Sequence, residues 1–334
     1  MGKSRRWAAV CLAVLLSLSV ALAGCGKQGE SNKQAGQVGK EGTAQQQTNP
    51  AGEQPSSGTR TVSDEFGEVE IPVHPQRIAG VYLEDYLVAL GITPVVQWYH
   101  PNWGKQDYLD LDVPQFDITG SVEALLDASP DLIIVDGVVD AAKYEIYSKI
   151  APTYRLPENI LQNPPEILCT IADLVNQKEK GEEVLKQYDQ KVEDAKEKLK
   201  SAIGDETVAV IRLNIGDKTL ALFGIENRYS GNIYKEIGLT PPTMVSEMKD
   251  FHAVISEEVL PELNVDHIIV FPSNGYWDSA ENREAEKLFD SPLWKSMPAV
   301  KNGHVYQVDR THWQSGAIYA NMKKIDDLLN IFIK

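Results

Sequence analysis

Short runs of branched apolar residues alternate along this chain with stretches whose apolar positions recur every three or four residues. Arg77-Ile78-Ala79-Gly80-Val81 reads as a strand, and Leu83 to Leu90 as a helix stopped by Gly91. Thr93 to Gln97 reads as a strand, Val122 to Ala128 as a helix, Leu132-Ile133-Ile134-Val135 as a strand buried on both faces, and Ala141 to Ile150 as a helix. Further on, strands are expected at Thr207–Asn214, Thr219–Phe223, His267–Phe271 and Val305–Val308, and helices at Asn232–Ile237, Glu281–Phe289 and Ser315–Ile333. Strands that alternate with helices point to parallel sheets and an α/β fold.

The pattern changes between Lys178 and Ala202. Leu185, Tyr188, Val192, Ala195 and Leu199 recur at spacings of 3, 4, 3 and 4, which is one helical stripe. No Pro or Gly interrupts Glu182 to Ile203, and Gly204 can cap the end. About 24 residues at about 1.5 Å rise make a rod of about 36 Å, long enough to cross a small domain.

An internal repeat lies on either side of that rod. Ser121-Val-Glu123-Ala-Leu125, running through Asp131 to Ile133-Ile134-Val135, returns 135 residues later as Ser256-Glu-Glu258-Val-Leu260, running through Asp266 to Ile268-Ile269-Val270; seven of the fifteen aligned positions are identical. Leu90-Gly91-Ile92-Thr93-Pro94 is echoed by Ile237-Gly238-Leu239-Thr240-Pro241. Two echoes in the same order imply two similar α/β lobes, Rossmann-like in plan, joined by the single long helix.

The N-terminal residues stand apart from this pattern. Lys3, Arg5 and Arg6 precede an apolar run, Trp7 to Ala23, which is short for a membrane span and ends in Leu22-Ala23-Gly24-Cys25. This resembles a bacterial lipobox, in which the Cys25 thiol carries the lipid. The expected organisation is a signal peptide over 1–24 and a disordered, polar tether over 25–60. A first lobe over 61–177, a connecting helix over 178–203 and a second lobe over 204–334 follow. The tether is rich in Gly, Gln, Ser and Lys and has too little apolar surface to offset its chain entropy. The expected location is the extracytoplasmic face of the cell membrane.

Charge narrows the partners. The chain carries 32 Lys+Arg against 48 Asp+Glu, a net charge of −16. Loss of residues 1–24 removes three basic residues and leaves −19. Nucleic acid, which requires a basic face, is excluded as an expected partner. With Cys11 in the signal and Cys25 lipidated, Cys169 has no disulfide partner and reads as a small buried hydrophobe. The sequence holds no G-x-S-x-G, Walker A, H-E-x-x-H or C-x-x-C. The six His are scattered, and His267, inside a strand, reads as structural. No enzyme activity and no resident cofactor or metal is expected.

Several segments together resemble a known family. Asp64-Glu-Phe-Gly67-Glu-Val-Glu-Ile71-Pro72, with Pro75-Gln-Arg77-Ile78, is similar to the opening of the iron-siderophore (ferrichrome and vitamin B12 type) binding proteins of ABC importers. Gly120-Ser-Val-Glu123 through Pro130-Asp131 resembles their first-lobe motif. Ser256-Glu-Glu258 resembles the second, although Val265 stands where Pro precedes the Asp. The ending, Ser291-Pro-Leu-Trp294 and Ala299-Val300-Lys301-Asn302-Gly303-His-Val305-Tyr306, also fits. The resemblance covers residues 61–334. It implies the class III periplasmic-binding-protein fold, with a ferric siderophore held between the lobes and iron bound only inside its chelator. It further implies a monomer that delivers its load to a dimeric permease driven by a cytoplasmic ATPase. Glu123 and Glu258 would dock onto permease arginines, and the same carboxylates also suit the first turn of a helix.

The same resemblance places Arg212 and Arg228 at an anionic chelate. Aromatics after strand ends, namely Trp98, Tyr99 and Trp103, Tyr276 and Trp277, and Trp313, are expected around it. Lys105 and Arg310 are further candidates. Haem or cobalamin on the same scaffold is an alternative, with His100, Tyr99 or His312 as possible axial ligands. A bare-metal binder is another, and an extracytoplasmic α/β enzyme is a third, from a different class.

Overall fold

A computed structural model of the chain describes residues 58–214, 219–280 and 282–333. The expected signal peptide, Cys25 and nearly all of the tether lie outside the described residues. Strand β1 (Thr59–Asp64) begins two residues before the expected start of the first lobe and pairs antiparallel with β2 (Gly67–Pro72).

The first lobe continues through β3 (Ile78–Val81), α1 (Glu84–Ala89), β4 (Gln97–Tyr99), β5 (Gln115–Asp117), α2 (Glu123–Asp127), β6 (Leu132–Val135), α3 (Ala141–Ser148), β7 (Thr153–Arg155) and α4 (Pro164–Leu174). Strands β3, β6 and β7 form a parallel sheet in the order β3-β6-β7, and β4 and β5 form a separate parallel pair. Every residue of β6 is buried, as its uninterrupted apolar run requires. The expected strand at Thr93–Gln97 starts instead at Gln97. Pro94 has no N–H to give a ladder, and this segment is tied to β3 by Val95 N–H on the Ile78 carbonyl (2.9 Å).

Helix α5 (Lys178–Ile203) is the connector. Its buried face is Gly181, Val184, Tyr188, Val192, Ala195 and Leu199, so Val184 takes the inward place expected of Leu185. In the neighbouring α4 the buried face is Ile167, Leu168, Ile171, Ala172 and Leu174. Cys169 falls on the opposite side of that helix and is exposed, which corrects its reading as a buried hydrophobe.

The second lobe contains β8 (Val208–Leu213), β9 (Thr219–Phe223), α6 (Asn232–Lys235), α7 (Thr243–Ser246), β10 (His252–Ser256), a 3-10 turn (Glu257–Leu263), β11 (His267–Pro272), α8 (Asn282–Glu286), α9 (Pro292–Ser296), α10 (Pro298–Lys301), β12 (Val305–Gln307), α11 (Arg310–Trp313) and α12 (Ile318–Phe332). Its five-stranded sheet runs β10-β9-β8-β11-β12, with β8, β11 and β12 parallel and β9 and β10 antiparallel. The architecture is two α/β lobes linked by one long helix.

The repeat proves to be a repeat of fold chemistry. Gly91 and Gly238 both take φ +79 where a helix ends, a conformation open to glycine. Ser129 and Asn264, also equivalent, take φ +45 and +38. Asp131 then accepts from the backbone N–H groups of Gln76 (2.7 Å) and Arg77 (3.0 Å), just before β3. Asp266 accepts from Thr207 N–H (2.8 Å), just before β8. Each copy stops a helix and clamps the neighbouring parallel strand.

A continuous apolar core runs through both lobes. It includes Leu87 of α1, Tyr188 of α5, Val210 of β8 and Ile325 of α12. Helix α12 belongs to the second lobe but packs on α5 and on α1 of the first. A close-packed core across the seam resists wide hinging, so the fold favours small adjustments between the lobes.

Candidate functional site

Residues just past the C-terminal ends of parallel strands meet across the seam, the usual place for a site in an α/β fold. Asp136 follows β6, is buried, and pairs with Arg228 of the second lobe at 3.3 Å. Arg310, which follows β12, is only 9% exposed. Its Nε donates to the Ser273 carbonyl (2.7 Å), and its Nη1 donates across the seam to the Trp103 carbonyl (3.1 Å). Tyr276 of the second lobe hydrogen-bonds Asp107 of the first.

Three guanidinium groups therefore gather here. Arg212 sits near the end of β8, half-buried, with Nε and Nη2 on Asn214 Oδ1 (3.4 and 3.2 Å) and its guanidinium 5.9 Å from the Phe223 ring centre. Among the described residues neither Arg212 nor Arg310 pairs with a carboxylate. Burial lowers the pKa of both. The Arg310 value falls to about 10, first because it is desolvated and second because Arg212 is close. A buried and a half-buried cation side by side, neither paired with a carboxylate among the described residues, are costly alone and favour an oxygen-rich or anionic ligand.

The aromatic candidates divide. Trp98 lies in β4, is 7% exposed, and stands 4.6 Å from the Tyr82 ring; its indole N–H has no partner among the described residues. Tyr99, Lys105 and Tyr276 line a groove of about 330 Å³ between segments 99–105 and 274–279. Trp103 is 41% exposed and stacks on His100 at 3.8 Å. Trp277 borders an adjoining hollow, but its indole N–H is donated to the Val308 carbonyl (2.9 Å) within its own lobe. Trp313 must be corrected: it is fully buried, its Nε1 is donated to Asp327 (2.8 Å), and it is a core residue out of reach of a ligand. His312 is likewise buried, with Nε2 2.6 Å from Asp327, so it is not free to ligate a haem.

Behind the site the seam is held by buried charge. Asp85 of α1 accepts from Tyr108 OH (2.8 Å) and from the N–H groups of Tyr319 and Ala320 (2.8 Å each), in the first turn of α12. A carboxylate of the first lobe thus caps a helix of the second. Lys324, fully buried, donates to the Ser315 carbonyl (2.7 Å) and to the carbonyl of Tyr229, the neighbour of Arg228. Burial pushes Asp85 up to about 6 and Lys324 down to about 7.

Glu123 opens α2 and Glu258 lies in the 3-10 turn; both are exposed and stand at equivalent places in the two lobes. Sequence reasoning passed over Tyr82, Asp136 and Asp85. The strand-end rule alone marks Tyr82, which follows β3, and Asp136, which follows β6.

Comparison with known proteins places the fold. The family model for periplasmic binding proteins matches residues 85–311. The chain is 33% identical over 306 residues to the iron(3+)-hydroxamate-binding protein FhuD of Bacillus subtilis (strain 168), covering 88% of each chain. It is 32% identical over 302 residues to the probable siderophore-binding lipoprotein YfiY of the same organism, covering 84% of this chain and 89% of the relative. A crystal structure of a FhuD fold-family periplasmic binding protein, a component of a Fep/Fec-like ferrichrome ABC transporter from Bacillus subtilis, superposes with a TM-score of 0.70 at 29% identity, over 82% of this chain and 100% of that one.

Proposed function

Because the chain belongs to the periplasmic binding protein family, we propose that it captures a ferric siderophore between its lobes and delivers it to the permease of an ABC importer. The observation that carries this reading is the gathering of Arg212, Arg228 and Arg310 beside Trp98 and Tyr82 at the seam. Guanidinium groups offer forked donors to chelate oxygens, and aromatic faces offer contact to its flat or apolar parts. No bond of the ligand is made or broken, and the iron stays inside its chelator as cargo. The protein works as a monomer, without a cofactor of its own. A lipid on Cys25 holds it outside the membrane, and an ATPase on the inner side drives the dimeric permease.

Titration of the purified protein with ferric hydroxamate, catecholate and citrate complexes, followed by Trp fluorescence, tests the binding step. One class is expected to quench tightly. Arg212→Ala is expected to weaken that class about tenfold or more, the loss of one charge-assisted contact being about 1.5–3 kcal/mol. Quenching by haem, cobalamin or a bare metal ion alone would overturn the siderophore reading and keep the capture role.

Glu123 and Glu258 are the docking carboxylates in this reading. The double variant Glu123→Ala/Glu258→Ala is expected to bind chelate as the parent does, because both side chains are exposed and, among the described residues, neither pairs with Arg212, Arg228 or Arg310. Uptake of labelled iron by cells carrying it is expected to fall severalfold or more. Full uptake would remove the docking role.

A further inference from the structure

Tyr82 is the described residue whose backbone least suits its side chain. It takes φ +66 directly after β3, and Leu83 N–H closes the turn onto the Gly80 carbonyl at 3.0 Å. This places Tyr82 at the third position of a four-residue turn, where positive φ ordinarily calls for Gly or Asn. A bulky aromatic in that conformation is an outlier, and such strain collects at ligand clamps and active sites. The strain is not offset by full burial, because Tyr82 remains partly exposed.

Its surroundings indicate what the conformation achieves. Strands β3 and β6 are parallel with Val81 opposite Val135, so Tyr82 emerges beside Asp136 at the rim of the sheet. Asp136 is the residue paired across the seam with Arg228. The Tyr82 ring leans on Trp98 at 4.6 Å and 35°, and Trp98 is itself buried and has an indole N–H with no partner among the described residues. Tyr229 of the second lobe is close enough to act on the Tyr82 phenol, which burial raises to about 12, so the hydroxyl stays neutral at any working pH. A left-handed turn thus holds a neutral aromatic face, backed by a buried indole, at the cleft beside the inter-lobe ion pair.

We propose that Tyr82 is a contact and specificity residue of the first lobe, its strained turn directing the ring against the apolar or flat face of the captured ferric chelate while the arginines hold its oxygens. This rests on the siderophore reading and assigns it a residue that the motifs do not mark. A residue that merely fills the lobe would show the opposite balance of effects: truncation would cost stability and leave binding alone.

The test compares the parent protein with Tyr82→Gly, Tyr82→Asn and Tyr82→Phe. Each is titrated with ferrichrome, ferric citrate and a ferric tris-catecholate, and its thermal midpoint is recorded. Gly and Asn both accept positive φ, so these variants are expected to melt at or above the parent's midpoint and to lose tenfold or more in affinity for the chelate the parent binds. Tyr82→Phe keeps the ring and is expected to stay within about threefold of the parent. Parent-like affinity in the Gly and Asn variants overturns the inference and leaves the siderophore reading standing. So does a lowered midpoint with unchanged affinity. A parent protein that binds none of the three chelates overturns both.

Discussion

Asp85→Ala is expected to destabilise the folded protein by about 3–5 kcal/mol, the usual result of removing one partner from a buried charged network. Asp85 is fully buried and accepts three hydrogen bonds, two of them from the opening turn of α12. Truncation leaves those two N–H groups unsatisfied, leaves the Tyr108 hydroxyl only its longer bond to Ser315 Oγ (3.3 Å), and takes from the buried Lys324 the carboxylate that most favours its charge. For a chain of this size the loss corresponds to a fall of roughly 10 °C in Tm. Thermal unfolding followed by circular dichroism measures it, with Asp85→Asn as the control that keeps the shape and one acceptor. A fall of under about 1 kcal/mol would mean that packing alone, and not this cap, holds the seam. The consequence for function is direct. Asp85 ties α1 of one lobe to α12 of the other, and Lys324 of α12 holds the Tyr229 carbonyl next to Arg228. Arg228 is thereby positioned next to a carbonyl that this buried polar seam holds.

Periodicity in the sequence locates most of the fold. The stripe in α5 and the uninterrupted runs of β6, β8 and β11 are strong because burial on one face or two leaves few other arrangements. The repeat is also legible, since Asp131 and Asp266 must each clamp a strand. Shorter elements escape the pattern. Helix α6 ends at Lys235, two residues before the expected Ile237, and α12 begins at Ile318 where Ser315 was expected. Gly316 packs so closely on the Arg228 carbonyl that a side chain there would clash, and Ala317 is still extended (ψ 164) just before the helix. The site is only half legible. Arg212 and Arg228 stand at the seam, but Trp313 follows a strand end in sequence and still turns into the core, where Asp327 takes its indole N–H. Aromatic side chains serve cores and clefts equally well, and nothing local in the sequence tells the two apart. Asp85 and Lys324 are invisible for another reason: each lies on a helix whose partner element is more than 200 residues away in sequence, or whose hydrogen bonds go to loop carbonyls.

Glu84→Gln is expected to stabilise the protein, and increasingly so as pH rises. Glu84 is buried beside Asp85; its Oε1 accepts the backbone N–H of Trp98 at 2.8 Å, and its Oε2 has no partner among the described residues. Burial is the leading cause that raises its carboxyl from 4.5 to about 8, against the lesser, opposite pull of the Trp98 N–H. The folded chain therefore keeps this proton up to about pH 8, whereas the unfolded chain releases it near 4.5. Between those values the folded state binds more protons, so stability falls as pH rises and levels off above 8. Asp85, raised from 3.8 to about 6, adds a fall of the same sign at lower pH. Lys324, lowered from 10.5 to about 7, works oppositely: the unfolded chain binds more protons between those values, and stability rises with pH there. A glutamine keeps the acceptor for Trp98 and has no charge to desolvate, so it removes the Glu84 contribution alone. The gap in unfolding free energy between variant and parent is expected to widen by on the order of 3 kcal/mol between pH 5 and pH 8, at about 1.4 kcal/mol per pH unit over most of that range. Urea denaturation at half-unit steps of pH reads it directly. A gap that stays flat across that range would mean that Glu84 is already ionised in the folded protein and that an internal partner, not protonation, meets its second oxygen.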